Sequence, residues 1–164
     1  MYPTKKTVDS TSDAWRRTAQ SRLRFELAGL AFALQHGSRP EDYARHLWSR
    51  GAKGWMGKTK PNAAEYLLRE SQCFRQFYPE ISFEIVAAGD EKAELIFSDG
   101  CLGSGGEDRW TLAKSLGLTK RDICAYCRES FLVWAKQLGL VTRIGPNEGG
   151  ACRLQALIPG DITE

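Results

Sequence analysis

Histidine is almost missing from this chain. His36 and His46 are the only two in 164 residues, and neither sits in a Ser-His-Asp or Cys-His order that would build a nucleophilic site. No P-loop, dinucleotide fingerprint or H-E-x-x-H pair occurs. No apolar run approaches the roughly 20 residues that cross a bilayer, so no membrane partner is expected. The first residues, MYPTKKTVDSTSD, are polar and lack the apolar core of a secretory signal. The expected compartment is therefore cytoplasmic. Internal repeats and low-complexity tracts are also lacking. Net charge is only +3, which demands neither a nucleic-acid nor a membrane partner.

What remains is globular. Hydrophobic residues make up 42% and charged residues 26%, and the length suits one ordinary domain. Charge is uneven: residues 1–60 hold 12 Lys/Arg against 5 Asp/Glu, a balance of +7, and the remainder is −4. The first third is a basic surface, with Arg16, Arg17, Arg22, Arg24, Arg45 and Arg50 among its charges.

Residues 1–11 lack apolar periodicity and read as a disordered tail. Residues 12–164 read as a single domain, helical over 12–78 and sheet plus long helix over 79–164. Leu23, Leu27, Leu30, Ala31 and Leu34 recur at helical spacing, predicting a helix from Asp13 to about Gln35 with Ser12 as cap. Ser38-Arg39-Pro40-Glu41 reads as a capping box opening a short helix that ends near Gly51. Gly51 to Lys60 reads as a loop. A third helix runs from beyond Pro61 to about Phe77. Two alternating runs, 81–86 and 93–97, flank Gly89-Asp90 and predict a hairpin. A helix follows over about 107–116. Thr119, with Asp122 as its capping partner, opens a long helix to about 138. Residues 140–144 and 152–158 then predict a second hairpin. The fold class is α+β: three N-terminal helices, then ββ-αα-ββ, with an antiparallel four-stranded sheet packed on the long helix.

The five cysteines carry the chemistry worth weighing. Cys73 sits beside Phe74 and Phe77 and reads as core. Cys101, Cys124, Cys127 and Cys152 all fall in the second half. Cys124-Ala-Tyr-Cys127 puts two sulfurs on roughly one helix face, near a helix N-terminus that favours thiolate. With Cys101 and Cys152 converging, four thiolates would suit zinc. The same spacing continues through Phe131, Trp134 and Leu138, which equally describes a core stripe. Trp110, Tyr126 and Trp134 are the pocket walls expected beside this site, and Arg128 is placed to hold a carboxylate. Trp55, between Lys53 and Lys58, either stacks on an anionic ligand or anchors its loop.

Cys101 after a strand, Cys124-x-x-Cys127 on a helix, Thr142-Arg143, and Gly149-Gly150-Ala151-Cys152-Arg153-Leu154 on the closing hairpin form a pattern. It resembles the cysteine-bearing α+β domains grouped with 4-vinyl reductase and L-2-amino-thiazoline-4-carboxylate hydrolase-like proteins. The likeness covers roughly residues 80–158. It implies a small-molecule-binding or hydrolytic domain, in some members with cysteine-bound metal, here at Cys101, Cys124, Cys127 and Cys152.

The leading expectation is a small-molecule- or metal-binding domain whose ligand lies between the sheet and the long helix, at the cysteine cluster, with a thiol- or metal-assisted hydrolase as its catalytic form. Two other classes compete. Trp110 to Leu140, turning at Gly117, has helix-turn-helix order, with Lys120 and Arg121 offered to nucleic acid. A non-catalytic interaction module is the third, and a long apolar helix with five tryptophans leaves room for a homodimer face.

Overall fold

A computed structural model describes residues 11–78, 81–98, 108–146 and 151–160. The expected tail over 1–10, the Cys101 loop and most of the last turn lie outside these residues. The fold is α+β. The elements are α1 (Thr11–Gln35), α2 (Pro40–Trp48), α3 (Ala52–Met56), α4 (Ala63–Phe77), β1 (Phe83–Ala88) and β2 (Lys92–Phe97), followed by α5 (Asp108–Ser115), α6 (Lys120–Lys136), β3 (Val141–Pro146) and β4 (Cys152–Leu157). No helix among the described residues is long and apolar enough to cross a membrane.

The four strands form one antiparallel sheet in the order β1-β2-β4-β3. Alternation sends Ala93, Leu95 and Phe97 of β2, with Leu154 and Ala156 of β4, into the core. There they meet Leu67 and Phe74 of α4 and Phe131 and Ala135 of α6. Phe74 is the hub of this layer, with its ring 5.5–6.2 Å from those of Phe83, Phe97 and Phe131. A second cluster lies among the helices: Leu23, Leu27 and Leu30 of α1 close on Ala44, Ala113, Ile123 and Tyr126. Helix α6 belongs to both clusters, with α2 and β3 packed on it.

Four differences from the sequence reading have physical causes. Helix α1 already includes Thr11 and Ser12, so Ser12 is not its cap. Pro40 takes the first position of α2, which makes Arg39 the cap and Asp42, not Glu41, its partner. The Asp42 carboxylate accepts from the Arg39 guanidinium at 2.9 Å. The glycine-rich stretch after residue 51 contains the short helix α3, so four helices precede the sheet. Ala52 and Met56, one turn apart, are its buried contacts, and Gly51 and Gly57 bracket it at φ 104° and 68°. Glu94 alternates away from the core as expected, yet it is buried. Arg153 Nε lies 3.1 Å from one of its oxygens and Gln155 donates to the other at 2.7 Å.

Candidate functional site

Five helices, with Tyr78 just past the end of α4, line a cavity of about 560 Å³. Helix α4 supplies its longest wall, because one face of that helix presents Glu70, Cys73, Phe74 and Phe77. Trp48 ends α2, Trp55 lies in α3, and α6 adds Tyr126, Cys127, Ser130, Phe131 and Trp134. Arg22 and Glu26 enter from α1. Gln72 and Gln76 line it while remaining exposed, which marks the mouth.

Three tryptophans form a continuous wall. The Trp134 ring lies 5.7 Å from Trp48 and 5.7 Å from Trp55, edge to face. Each outer indole is fixed by its N–H. Trp48 Nε1 donates to the Tyr126 hydroxyl at 3.0 Å, and Trp55 Nε1 donates to Cys73 Sγ at 3.4 Å. The Tyr126 hydroxyl in turn donates to Glu26 Oε1 at 2.8 Å, and Arg22 Nη1 stands 3.2 Å from the other Glu26 oxygen. Arg22 also stacks 4.0 Å over the Phe77 ring. Burial lowers the Arg22 pKa, but Glu26 and Tyr78 outweigh it and the guanidinium stays charged. Burial, with the Glu26 charge beside it, pushes the Tyr126 phenol far up, so it remains a donor.

Glu70 is the unusual group. It is 7% exposed. Burial raises its carboxyl to about 7, and the Tyr66 phenol one turn back opposes the shift only in part. The Tyr66 hydroxyl, itself fully buried, has no hydrogen-bond partner of ordinary geometry among the described residues. Burial also pushes the Cys73 thiol up, opposed by the bond from Trp55.

The expected site residues separate. Tyr126, Cys127 and Trp134 line the cavity. Cys124, three positions earlier on α6, is exposed, so the core stripe of that helix does not include it. Cys152 is half-buried on β4 against the sheet-side core, and Cys101 lies outside the described residues. Trp110 packs on the α1–α6 cluster with Lys120 Nζ 5.4 Å from its ring. Arg128 is exposed and does not line the cavity. Among the described residues no three His, Cys, Asp or Glu stand close enough to hold a metal. The sheet–α6 boundary, where a ligand space was expected, is filled by Phe131, Ala135, Ile144 and Leu154. Trp55 ties α3 to α4 and lines the cavity, while Lys53 and Lys58 stay outside.

Sequence reading missed Glu70, Arg22, Glu26 and Trp48. One signal was available: Tyr66, Leu67, Glu70 and Phe74 follow core spacing, so an acid occupies a buried position of α4. The α1 pair, four residues apart, had no such mark. Comparison with protein-family models, with curated proteins and with solved structures finds no match.

Proposed function

We propose that this chain is a small-molecule-binding protein whose ligand occupies the aromatic cavity between α1, α2, α3, α4 and α6. The observation that carries the reading is the preformed space itself. Its volume, about 560 Å³, falls within the range of ligand pockets, and its lining is apolar with a few converging charges. Trp48 and Trp55 are already tied by hydrogen bonds and Trp134 is held edge to face between them, so a ligand would meet rigid surfaces and little ordering cost. The resemblance carried by residues 80–158 agrees with ligand binding.

The test uses N-phenyl-1-naphthylamine, a neutral aromatic probe whose emission rises in apolar surroundings. Saturable binding near one probe per chain is the expected result. Cys73→Phe, which fills the cavity, should weaken it at least tenfold while the denaturation midpoint shows a folded protein. Binding that does not saturate, or that a folded Cys73→Phe leaves unchanged, refutes the reading.

A further inference from the structure

We infer that the cavity selects a cation, an organic ammonium with an apolar body, seated against the Trp48–Trp134–Trp55 wall with Glu70 as its counter-ion. The inference rests on the ligand-cavity reading above and specifies the charge of the ligand.

Charge matching within the cavity leads to it. Four charged side chains line the space: Arg22, Glu26, Arg69 and Glu70. Arg22 is matched to Glu26 at 3.2 Å. Arg69 is matched to Glu65 at 2.7 Å and is further held by the Trp55 carbonyl at 3.2 Å and by Thr59 Oγ1 at 3.0 Å. Glu70 is then the one lining charge with no cation paired to it among the described residues. A buried carboxylate is costly until something neutralises it. A proton serves in the empty cavity, and a ligand cation serves in the filled one.

Position supports the same conclusion. Glu70 lies on α4 between Tyr66 and Cys73, one turn to either side. The Trp55 indole stands edge-on to the Tyr66 ring at 5.9 Å and donates to Cys73 Sγ, so it spans the turn that carries Glu70. A carboxylate and indole rings lining one cavity are what an ammonium group requires: a full charge to pair with and π-faces to stack on.

The groups around Glu70 leave it as the switch. Its own helix offers Tyr66, Arg69 and Cys73; α1 offers Arg22 and Glu26; α6 offers Tyr126 and Cys127. The sheet meets α4 through apolar residues such as Ala93, Leu95 and Phe97. Burial shifts Tyr66, Tyr126 and Cys73 upward, away from neutrality. Glu70 titrates near 7, so its ionised share rises from about one-tenth at pH 6 to about nine-tenths at pH 8.

Three probes of similar size test this by displacing N-phenyl-1-naphthylamine: benzylammonium, benzyl alcohol and benzoate. At pH 8 benzylammonium should bind at least tenfold more tightly than benzyl alcohol. Its affinity should fall about tenfold by pH 6, and Glu70→Gln should abolish both the preference and its pH dependence. The wild-type pH profile needs no variant, so a poorly folding substitution would not block the test. Equal binding of benzyl alcohol at pH 8 overturns the cation inference while leaving the cavity reading intact. Preference for benzoate overturns it in favour of Arg22 as the ligand's partner. Failure of all three probes and of the neutral dye overturns both.

Discussion

Replacing Glu70 with Gln should make the protein more stable at pH 8 and change it far less at pH 5. The carboxyl titrates at about 7 when folded and near 4.3 in an unfolded chain. Between those values the folded protein keeps a proton that the unfolded chain has released. Stability is therefore full below the unfolded value and falls as pH rises through the folded one. The shift from 4.5 to about 7, at roughly 1.4 kcal/mol per unit, places the full loss at about 3.5 kcal/mol, of which about 2.5 kcal/mol falls between pH 5 and 8. Glutamine has the same shape and carries no charge at any pH, so the variant escapes that loss. Urea denaturation followed by tryptophan emission at pH 5, 6, 7 and 8 measures it. The variant-minus-wild-type difference should climb by about 2.5 kcal/mol across the range, which is roughly 5–10 °C in Tm for a chain of this size. Differencing cancels the other titrating groups. A difference flat to within about 0.5 kcal/mol would refute the reasoning, because Glu70 would then be as well solvated folded as unfolded. A difference that falls with pH would mean that the carboxylate has found a cation inside the protein.

Three further outcomes follow from the same geometry. Tyr126→Phe removes the hydroxyl that joins Trp48 to Glu26 and should cost about 1–3 kcal/mol in urea denaturation; a cost near zero would show that water replaces it. Gly29→Ala puts a methyl group onto the Tyr43 hydroxyl and should cost about 1–3 kcal/mol. Adding Tyr43→Phe should recover most of that cost, and no recovery would place the strain elsewhere. Cys124 is exposed, and Cys73 is half-buried with its thiol pushed up. A thiol reagent at pH 8 should modify Cys124 before Cys73, and Cys124→Ser should remove one fast-reacting group while changing stability by less than about 0.5 kcal/mol.

The helices and hairpins were legible wherever one element settles its own pattern. Leu23, Leu27 and Leu30 have a spacing that only a helix satisfies with one buried face. Thr119 and Asp122 cap α6 as read, with the Thr119 amide donating to the carboxylate at 2.8 Å. The short helix α3 was not legible, since Lys53 and Gly54 mask a five-residue element whose buried contacts come from other helices. The site was legible in part. Tyr126, Cys127 and Trp134 were singled out and do line the cavity, but they were expected in or beside a cluster of Cys101, Cys124, Cys127 and Cys152, and Cys124 is exposed. A spacing of three residues separates two side chains by about 60° around a helix, enough for one to turn inward and its neighbour to reach solvent.

The sequence by itself determined the α+β class and the order of every element but α3, because periodicity, caps and turns act over a few residues. It also placed an acid, Glu70, at a core position of α4. Tertiary structure alone decided where the charges ended. Arg22 reaches Glu26 one turn away, but Tyr126 completes that pair from 100 residues further on, and Arg69 is claimed by Glu65 and the α3 end. Only after those partners are assigned in space is Glu70 left without a cation in a cavity that three tryptophans from three helices also line. No local pattern encodes that residue of charge, because it is a difference between long-range pairings and exists only once the chain has folded.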